Sequence, residues 1–172
     1  CSFPHPAAWR RRAYRRQVWY RSAYALGRIG VAAIPALSEA LNHSQASVRS
    51  GAAKALGWIG PIAKETIPPL LGKLTDSDSE VRQLAAETLG EIGLEAKPHL
   101  IQSLSAAETY ARLGAVTALA WMEVGARDAA PKLVEAFQND TDRDVRANAL
   151  QALSKVGYEI ELRVPLAIAA LK

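Results

Sequence analysis

Proline recurs along this chain at nearly even intervals, and a short Leu-Gly-x-Ile-Gly motif recurs between the prolines. The evenly spaced prolines are Pro6, Pro35, Pro68, Pro98, Pro131 and Pro165. The motif occupies residues 26–30, 56–60 and 89–93, with a looser copy at 153–157. A period of about 30–34 residues in a helix-forming composition is typical of repeat proteins, whose units bury their core only by stacking on one another. The sequence therefore predicts an all-α fold, a right-handed α-solenoid of about five stacked two-helix repeats.

Each repeat is predicted to contain two helices. One helix runs from a Val-Arg pair into the motif glycines, as from Val81 to Gly90, and its apolar residues fall on a single helical stripe. The other helix begins near the repeated proline, since the missing N–H costs nothing in the first turn. Polar linkers such as residues 75–80 and 139–144 supply N-cap oxygens for the next helix. We treat residues 1–172 as one solenoid domain with an incomplete repeat at each end, which favours a fragment of a longer solenoid.

Positive charge is concentrated near the beginning of the chain. Seven of the 21 basic side chains lie within residues 1–38, and all 17 carboxylates follow that segment. No apolar run approaches the roughly 18 residues that a transmembrane helix requires. The single cysteine, Cys1, excludes an internal disulfide framework. We expect a cytoplasmic protein, and the alternative is a lipoprotein anchored through Cys1.

Motifs that would carry chemistry are weak in this sequence. Residues 140–144 resemble the start of a calcium loop, but Val145 stands where an EF-hand needs glycine and Gln151 where it needs glutamate. We interpret these aspartates as helix caps and as members of an Asp–Arg ladder with Arg146, and we give Asp76 or Asp78 with Arg82 a structural role. The sequence predicts no catalytic residue, no metal site and no cofactor.

Three patterns in the second complete repeat carry a resemblance to a known family. They are Asp-x-Asp-x-x-Val-Arg at 76–82, Ala-Ala-x-x-Leu-Gly-x-Ile-Gly at 85–93 and Pro-x-Leu-x-x-x-Leu at 68–74. They resemble the HEAT-like repeats named after phycobilisome lyases, a branch of the HEAT/armadillo solenoids, over nearly the whole chain. The resemblance implies a docking surface, and bilin lyase subunits, a hydroxylase of modified lysine and some DNA-repair glycosylases share related solenoids. The hydroxylases need paired His-Glu motifs, and none of His5, His43 and His99 precedes a glutamate.

The resemblance also implies that the Val-Arg helix lines the concave face, so its non-core positions are where binding residues are predicted. Tryptophan, tyrosine and arginine are the usual anchors of protein interfaces. The residues predicted to bind a partner are Tyr20, Tyr24, Arg28, Lys54, Trp58, Glu87, Glu91, Leu113, Trp121, Gln151 and Lys155. In this register Trp58 and Trp121 lie on one row with Glu91 between them. The alternative is that both tryptophans pack between repeats.

Three functions remain open at this point. The first is a non-catalytic scaffold that binds a protein partner through the concave face. The second, implied by the resemblance, is a bilin lyase or chromophore-handling subunit, in which the aromatic row stacks a tetrapyrrole and Arg28, Lys54 or Lys155 meets its propionates. The third is a nucleic-acid-binding solenoid that uses a basic segment rich in aromatic residues. That segment contains Arg10, Arg11, Arg12, Arg15 and Arg16.

Overall fold

Short and long helices alternate along the chain in a computed structural model that describes residue 25 and residues 28–158. The short helices are α1 (Ile34–Ala40), α3 (Ile67–Lys73), α5 (Lys97–Ser103) and α7 (Ala130–Asn139). The long helices are α2 (Ala46–Ile59), α4 (Ser79–Ile92), α6 (Thr109–Trp121) and α8 (Arg143–Lys155). Successive long helices pack on one another, and each short helix packs on the long helix that follows it. The predicted all-α solenoid of stacked two-helix repeats is confirmed, and four of its helix pairs lie within the described residues.

The leucine of the repeated motif forms the centre of the core. Leu56, Leu89, Leu119 and Leu153 are completely buried on the four long helices. Burial of one leucine side chain contributes roughly 1.5–3 kcal/mol to folding, so this column is a main source of stability. One buried polar group lies next to it, because the Thr88 hydroxyl donates a 2.8 Å hydrogen bond to the Ala53 carbonyl of the preceding long helix. That bond satisfies the hydroxyl, which would otherwise be costly to bury.

Local sequence signals set the beginnings of the helices. Every short helix has a proline at its first or second position, as the sequence predicts. Asp78 caps α4 by accepting hydrogen bonds from the backbone N–H groups of Glu80 and Val81 at 2.9 and 3.1 Å. Asp142 caps α8 in the same way. None of the described helices has both the length and the apolar character needed to cross a membrane.

The long helices end later than the sequence analysis predicts. They continue past the first glycine of the motif, so that α2 ends at Ile59 and α4 at Ile92. The second glycine forms the cap, and Gly60 and Gly93 adopt φ angles of 69° and 82°. These angles lie in the left-handed region, which glycine enters without steric cost. Three-10 segments over Gly60–Thr66, Gly93–Glu95 and Glu123–Ala129 then lead to the next short helix.

Glu123 stands where the other long helices have the capping glycine, and its φ angle is 50°. A non-glycine residue pays about 1–2 kcal/mol in this region, so we expect Glu123→Gly to raise the free energy of unfolding by about 1 kcal/mol. Chemical denaturation would measure the change. Gly93→Ala is the reverse change and should lower stability by about 1–3 kcal/mol, because alanine is strained at its φ of 82° and ψ of −135°, while an added Cβ would meet nothing within 4 Å. A less stable Glu123→Gly variant would contradict this account.

Candidate functional site

Most of the residues predicted to bind a partner are found on the long helices. They are Lys54 and Trp58 on α2, Glu87 and Glu91 on α4, Leu113 and Trp121 on α6, and Gln151 and Lys155 on α8. Arg28 is helical and exposed. The others lie outside the described residues, namely Tyr20, Tyr24, Arg10, Arg11, Arg12, Arg15 and Arg16. We call the surface that these long-helix positions share, together with Gln83, Tyr110 and Thr117, the long-helix face.

Lys54 lies between two carboxylates of the next repeat. Its Nζ is 3.6 Å from Glu87 Oε2 and 3.5 Å from Glu91 Oε1. The same ammonium lies 5.9 Å from the centre of the Trp58 ring, within the range of a cation–π interaction. Gln83 Nε2 donates a 3.0 Å hydrogen bond to the other oxygen of Glu87. Two carboxylates therefore share one cation, and this part of the long-helix face keeps one negative charge.

The first glycine of each motif admits a side chain from the next repeat. The Glu91 carboxylate lies directly against Gly57, in the space that a Cβ would occupy. Trp121 lies against Gly90 in the same way, since a Cβ on Gly90 would be 2.5 Å from the Trp121 Cβ. Glu91 Oε2 is buried there without a hydrogen-bond partner. The first motif glycines therefore provide the space that Glu91 and Trp121 occupy between neighbouring long helices.

The two tryptophans of this row differ in burial. Trp58 is half-buried and packs against the hydrophobic core. Trp121 is 48% exposed, although its Cβ is fixed against Gly90. The Cβ end of Trp121 is therefore packed between repeats, whereas its indole ring remains accessible.

An apolar groove opens between α4 and α6. Its volume is about 200 Å³, and its lining residues are Leu74, Ser79, Arg82, Gln83, Ala86, Tyr110, Leu113, Gly114 and Thr117. Gly114 allows the close approach at its floor, because a Cβ there would be 2.7 Å from a methyl group of Leu74. The groove includes Leu113, which the sequence analysis predicts as a binding residue.

The groove belongs to a longer apolar stripe on α6. Tyr110, Leu113, Thr117 and Trp121 are spaced at i, i+3, i+7 and i+11, which places them on one side of the helix. Tyr110 is 52% exposed. The equivalent positions on α4 are Glu80, Gln83, Glu87 and Glu91, and those on α8 are Asp144, Ala147, Gln151 and Lys155. The long-helix face thus presents an apolar helix, α6, beside an acidic one, α4.

An Arg–Asp ladder joins repeats at the beginning of the long helices. Arg49 donates two hydrogen bonds to the Asp76 carboxylate of the next repeat, at 2.8 and 2.6 Å. Arg112 contacts Asp140 in the same two-pronged way, at 2.7 and 2.9 Å. Asp76, Asp78 and Arg82 have the structural roles that were expected, since Arg82 donates to the Asp76 backbone carbonyl at 2.7 Å and Asp78 caps α4.

The expected Asp–Arg ladder along the stack is present, but the Asp140 carboxylate pairs with Arg112 of the preceding repeat and not with Arg146. Arg146 donates to the backbone carbonyls of Asp140 and Thr141, at 2.8 and 3.2 Å. Hydrogen bonds from Arg112 hold the pKa of Asp140 below its usual value, against the opposing effect of burial. Burial acts to raise the pKa of Asp76, but the hydrogen bonds from Arg49 and from the Asp78 N–H outweigh it and lower the pKa.

The ladder has a gap between α4 and α6. Ala106 stands at the linker position of Asp76 and Asp140, so Arg82 has no aspartate there to bind. Its guanidinium lies instead 4.1 Å from the centre of the Tyr110 ring. Tyr110 in turn replaces the acidic residue found at this position in two other repeats, Glu80 and Asp144. Tyr110 was not among the predicted binding residues, although Ala106 and Tyr110 both depart from the repeat pattern in the sequence.

A second set of exposed apolar side chains was also missed. Val31, Ile62, Leu94 and Val124 follow the left-handed cap positions of successive repeats, and each is between 59% and 72% exposed. We call them the edge row. They belong to the connecting three-10 segments rather than to the long helices. Their positions make them useful controls for variants of the long-helix face.

The fold and the repeat pattern define a helical repeat protein, and comparison with known families agrees. The sequence pattern of the family described as HEAT repeats matches residues 7–90 and 97–172. The chain belongs to the HEAT-repeat family. The predicted resemblance to HEAT-like repeats is thereby confirmed.

Several solved structures are similar to this chain. The complex of CpcE and CpcF of phycocyanin lyase from Nostoc sp. PCC7120 is similar with a TM-score of 0.57 and 22% identity, over 77% of this chain and 87% of that chain. An engineered protein is 25% identical with a TM-score of 0.46, over 80% and 69% of the two chains. A computationally designed armadillo repeat protein for modular peptide recognition is 20% identical with a TM-score of 0.43, over 89% and 82%. No protein with a curated description matched the chain.

Proposed function

We propose that this protein is a non-catalytic scaffold that binds a protein partner through its long-helix face. The supporting observation is the stripe on α6, where Tyr110 lines the open groove, Trp121 lies one helical turn beyond the lining residue Thr117, and both aromatic residues are about half exposed. Contiguous exposed apolar patches mark interaction surfaces, and tyrosine and tryptophan are the residues most enriched among binding hot spots.

The anchors of this surface are held in place before any partner arrives. The Cβ of Trp121 is fixed against Gly90 of the neighbouring helix, and the ring of Tyr110 carries the Arg82 guanidinium. Arg82 is itself oriented by hydrogen bonds to two backbone carbonyls. A preformed surface loses little conformational entropy when it binds, so more of its contact energy is available for affinity.

Binding of a bilin-type chromophore is the second candidate. The accessible indole of Trp121 favours it, because an aromatic ring can stack on the exposed side. Two observations weigh against it. Lys54, which would meet a propionate, is already held by Glu87 and Glu91. The groove volume of about 200 Å³ is also below the roughly 300–1,000 Å³ of typical small-molecule sites.

The test is capture of partners from an extract of the source cells with wild-type protein, Trp121→Ala and Leu94→Ala. We expect a protein partner whose recovery falls at least about tenfold with Trp121→Ala, in line with the loss of a hot-spot side chain. Leu94→Ala, which truncates an exposed side chain of the edge row, should retain it.

Three outcomes would contradict the proposal. Equal recovery by all three proteins would place the interface elsewhere. A visible absorption band in the eluate that Trp121→Ala removes would support chromophore handling instead. A complex that nuclease treatment destroys would support nucleic-acid binding.

A further inference from the structure

We propose that the long-helix face recognises a basic, amphipathic peptide segment, with one cationic side chain against Trp121 and Glu91 and one large apolar side chain in the groove. This inference rests on the proposed function and adds the chemistry of the partner. It is supported by the way in which charged and apolar side chains are distributed over α4 and α6.

Charge favours a cation at the Trp121 end of the face. Glu87 and Glu91 share a single ammonium, that of Lys54, at 3.6 and 3.5 Å, so this cluster between α2 and α4 keeps one negative charge. Lys155 provides a positive charge at the equivalent position of α8, on the other side of α6. Glu91 is adjacent in sequence to Gly90, against which Trp121 lies. An arginine of a partner could stack on the exposed indole and pair with the carboxylates, and both interactions are stronger for arginine than for lysine.

The other end of the stripe favours an apolar side chain. Leu74, Ala86, Leu113 and Gly114 form the apolar lining of the groove. Arg82 stands at this end, over the Tyr110 ring, and would repel a second cation. The surface therefore has a positive guanidinium at the Tyr110 end and negative carboxylates near Trp121, and this polarity favours one orientation of a bound peptide.

The distance between the two ends fixes the spacing of the anchors. Leu113 and Trp121 are eight residues apart on α6, which corresponds to about 12 Å along a helix that rises about 1.5 Å per residue. A partner helix lying along α6 covers this distance in seven or eight residues. An extended segment covers it in about four residues, at about 3.3 Å each. In either conformation, the cationic and the apolar side chain lie on the same side of the partner segment.

The experiment is a selection of displayed random 16-residue peptides on the wild-type protein, followed by affinity measurements on variants. We expect enriched peptides with an arginine or lysine four, seven or eight positions from a large apolar residue. Glu91→Gln and Leu113→Ala should each bind these peptides at least about tenfold more weakly, and higher salt should weaken wild-type binding. Leu94→Ala should bind them as the wild type does. Unfolding midpoints of all variants would separate lost contacts from lost structure.

The outcomes distinguish this inference from the proposed function. Enriched peptides that are acidic or uncharged, and that still require Trp121, would overturn the inference while leaving the long-helix face as a protein-binding surface. Peptides bound equally well by Trp121→Ala and Leu113→Ala would overturn both. Failure to enrich any peptide would also overturn the inference, while the capture experiment would still decide the proposed function.

Discussion

Gly90→Ala should lower the free energy of unfolding by about 2 kcal/mol, whereas Gly57→Ala should leave it nearly unchanged. The two glycines occupy the same position in successive repeats. A Cβ on Gly90 would be 2.5 Å from the Trp121 Cβ and 3.0 Å from the Ala118 carbonyl oxygen, and both atoms belong to rigid parts of α6. A Cβ on Gly57 would meet the end of the flexible Glu91 side chain, which can turn away, and would lie 3.1 Å from the Thr88 hydroxyl, a tight contact that a shift of a few tenths of an ångström relieves.

The helix propensity of alanine makes the comparison sharper. Alanine is favoured over glycine by about 1 kcal/mol in a helix interior, and both variants gain this equally. Urea denaturation of the two variants and the wild type would measure the difference directly. If Gly90→Ala were as stable as Gly57→Ala, α6 would have to move away from α4 at no cost, and the close contact with Trp121 described here would not hold.

Asp140→Ala should destabilise the protein by about 2 kcal/mol because it leaves Arg112 without its partner. The two side chains are only 5% and 11% exposed and form two hydrogen bonds between repeats. Asp140 also accepts a hydrogen bond from the Asp142 N–H at 2.9 Å, so its loss loosens the linker before α8. The expected loss of stability is smaller than the roughly 3–5 kcal/mol lost when a fully buried pair is broken, since water still reaches the edge of this pair.

The difference between wild type and Asp140→Ala should depend on pH. The folded protein lowers the pKa of Asp140 below the ordinary value of 3.8, so the folded state favours the ionised carboxylate. The resulting stabilisation is complete above the ordinary pKa and is lost as the pH falls through the lowered, folded-state pKa. Denaturation curves at a series of pH values would measure it.

Asp128→Ala is the matched control for this prediction. Asp128 pairs with Lys97 at 2.8 Å, but its side chain is 63% exposed. Removal of such a surface pair should cost at most about 0.5–1 kcal/mol. Equal losses for the two variants would mean that the inter-repeat ladder has no special role in stability.

Features that depend on near neighbours in the chain could be predicted from the sequence. The prolines mark the starts of the short helices, the aspartates at 78 and 142 act as caps, and the motif leucines are buried. Each follows from local backbone chemistry or from helical periodicity. Repetition strengthened these signals, because each one occurs several times in the same register.

Features that depend on contacts between repeats could not be predicted in the same way. The first motif glycine was expected at the end of the long helix, but Gly57 and Gly90 lie inside helices and admit Glu91 and Trp121 from the next repeat. The bond between the Asp76 carboxylate and Arg49 was not predicted, because the two residues are 27 positions apart in the sequence and meet only across the stack.

For the candidate site, register placed Trp121, Glu91 and Leu113 on the expected helices. The pairing of Lys54 with two glutamates and the volume of the groove depend on how neighbouring helices pack. Tyr110 was missed because its role depends on Ala106 in the preceding linker. Arg82 has no aspartate to bind at that position and contacts the Tyr110 ring instead.

The gap in the Arg–Asp ladder has a mechanical consequence. The boundary between α2 and α4 is held by the Arg49–Asp76 pair and the buried Thr88–Ala53 bond, and that between α6 and α8 by the Arg112–Asp140 pair. Between α4 and α6, Arg82 stacks on Tyr110 instead. Among the described residues, this boundary is therefore held by packing and by that stacking rather than by an ion pair, with Trp121 against Gly90 and Leu74 against Gly114. Acid should loosen the two ion-paired boundaries, because it protonates their aspartates, and should leave the cohesion between α4 and α6 nearly unchanged.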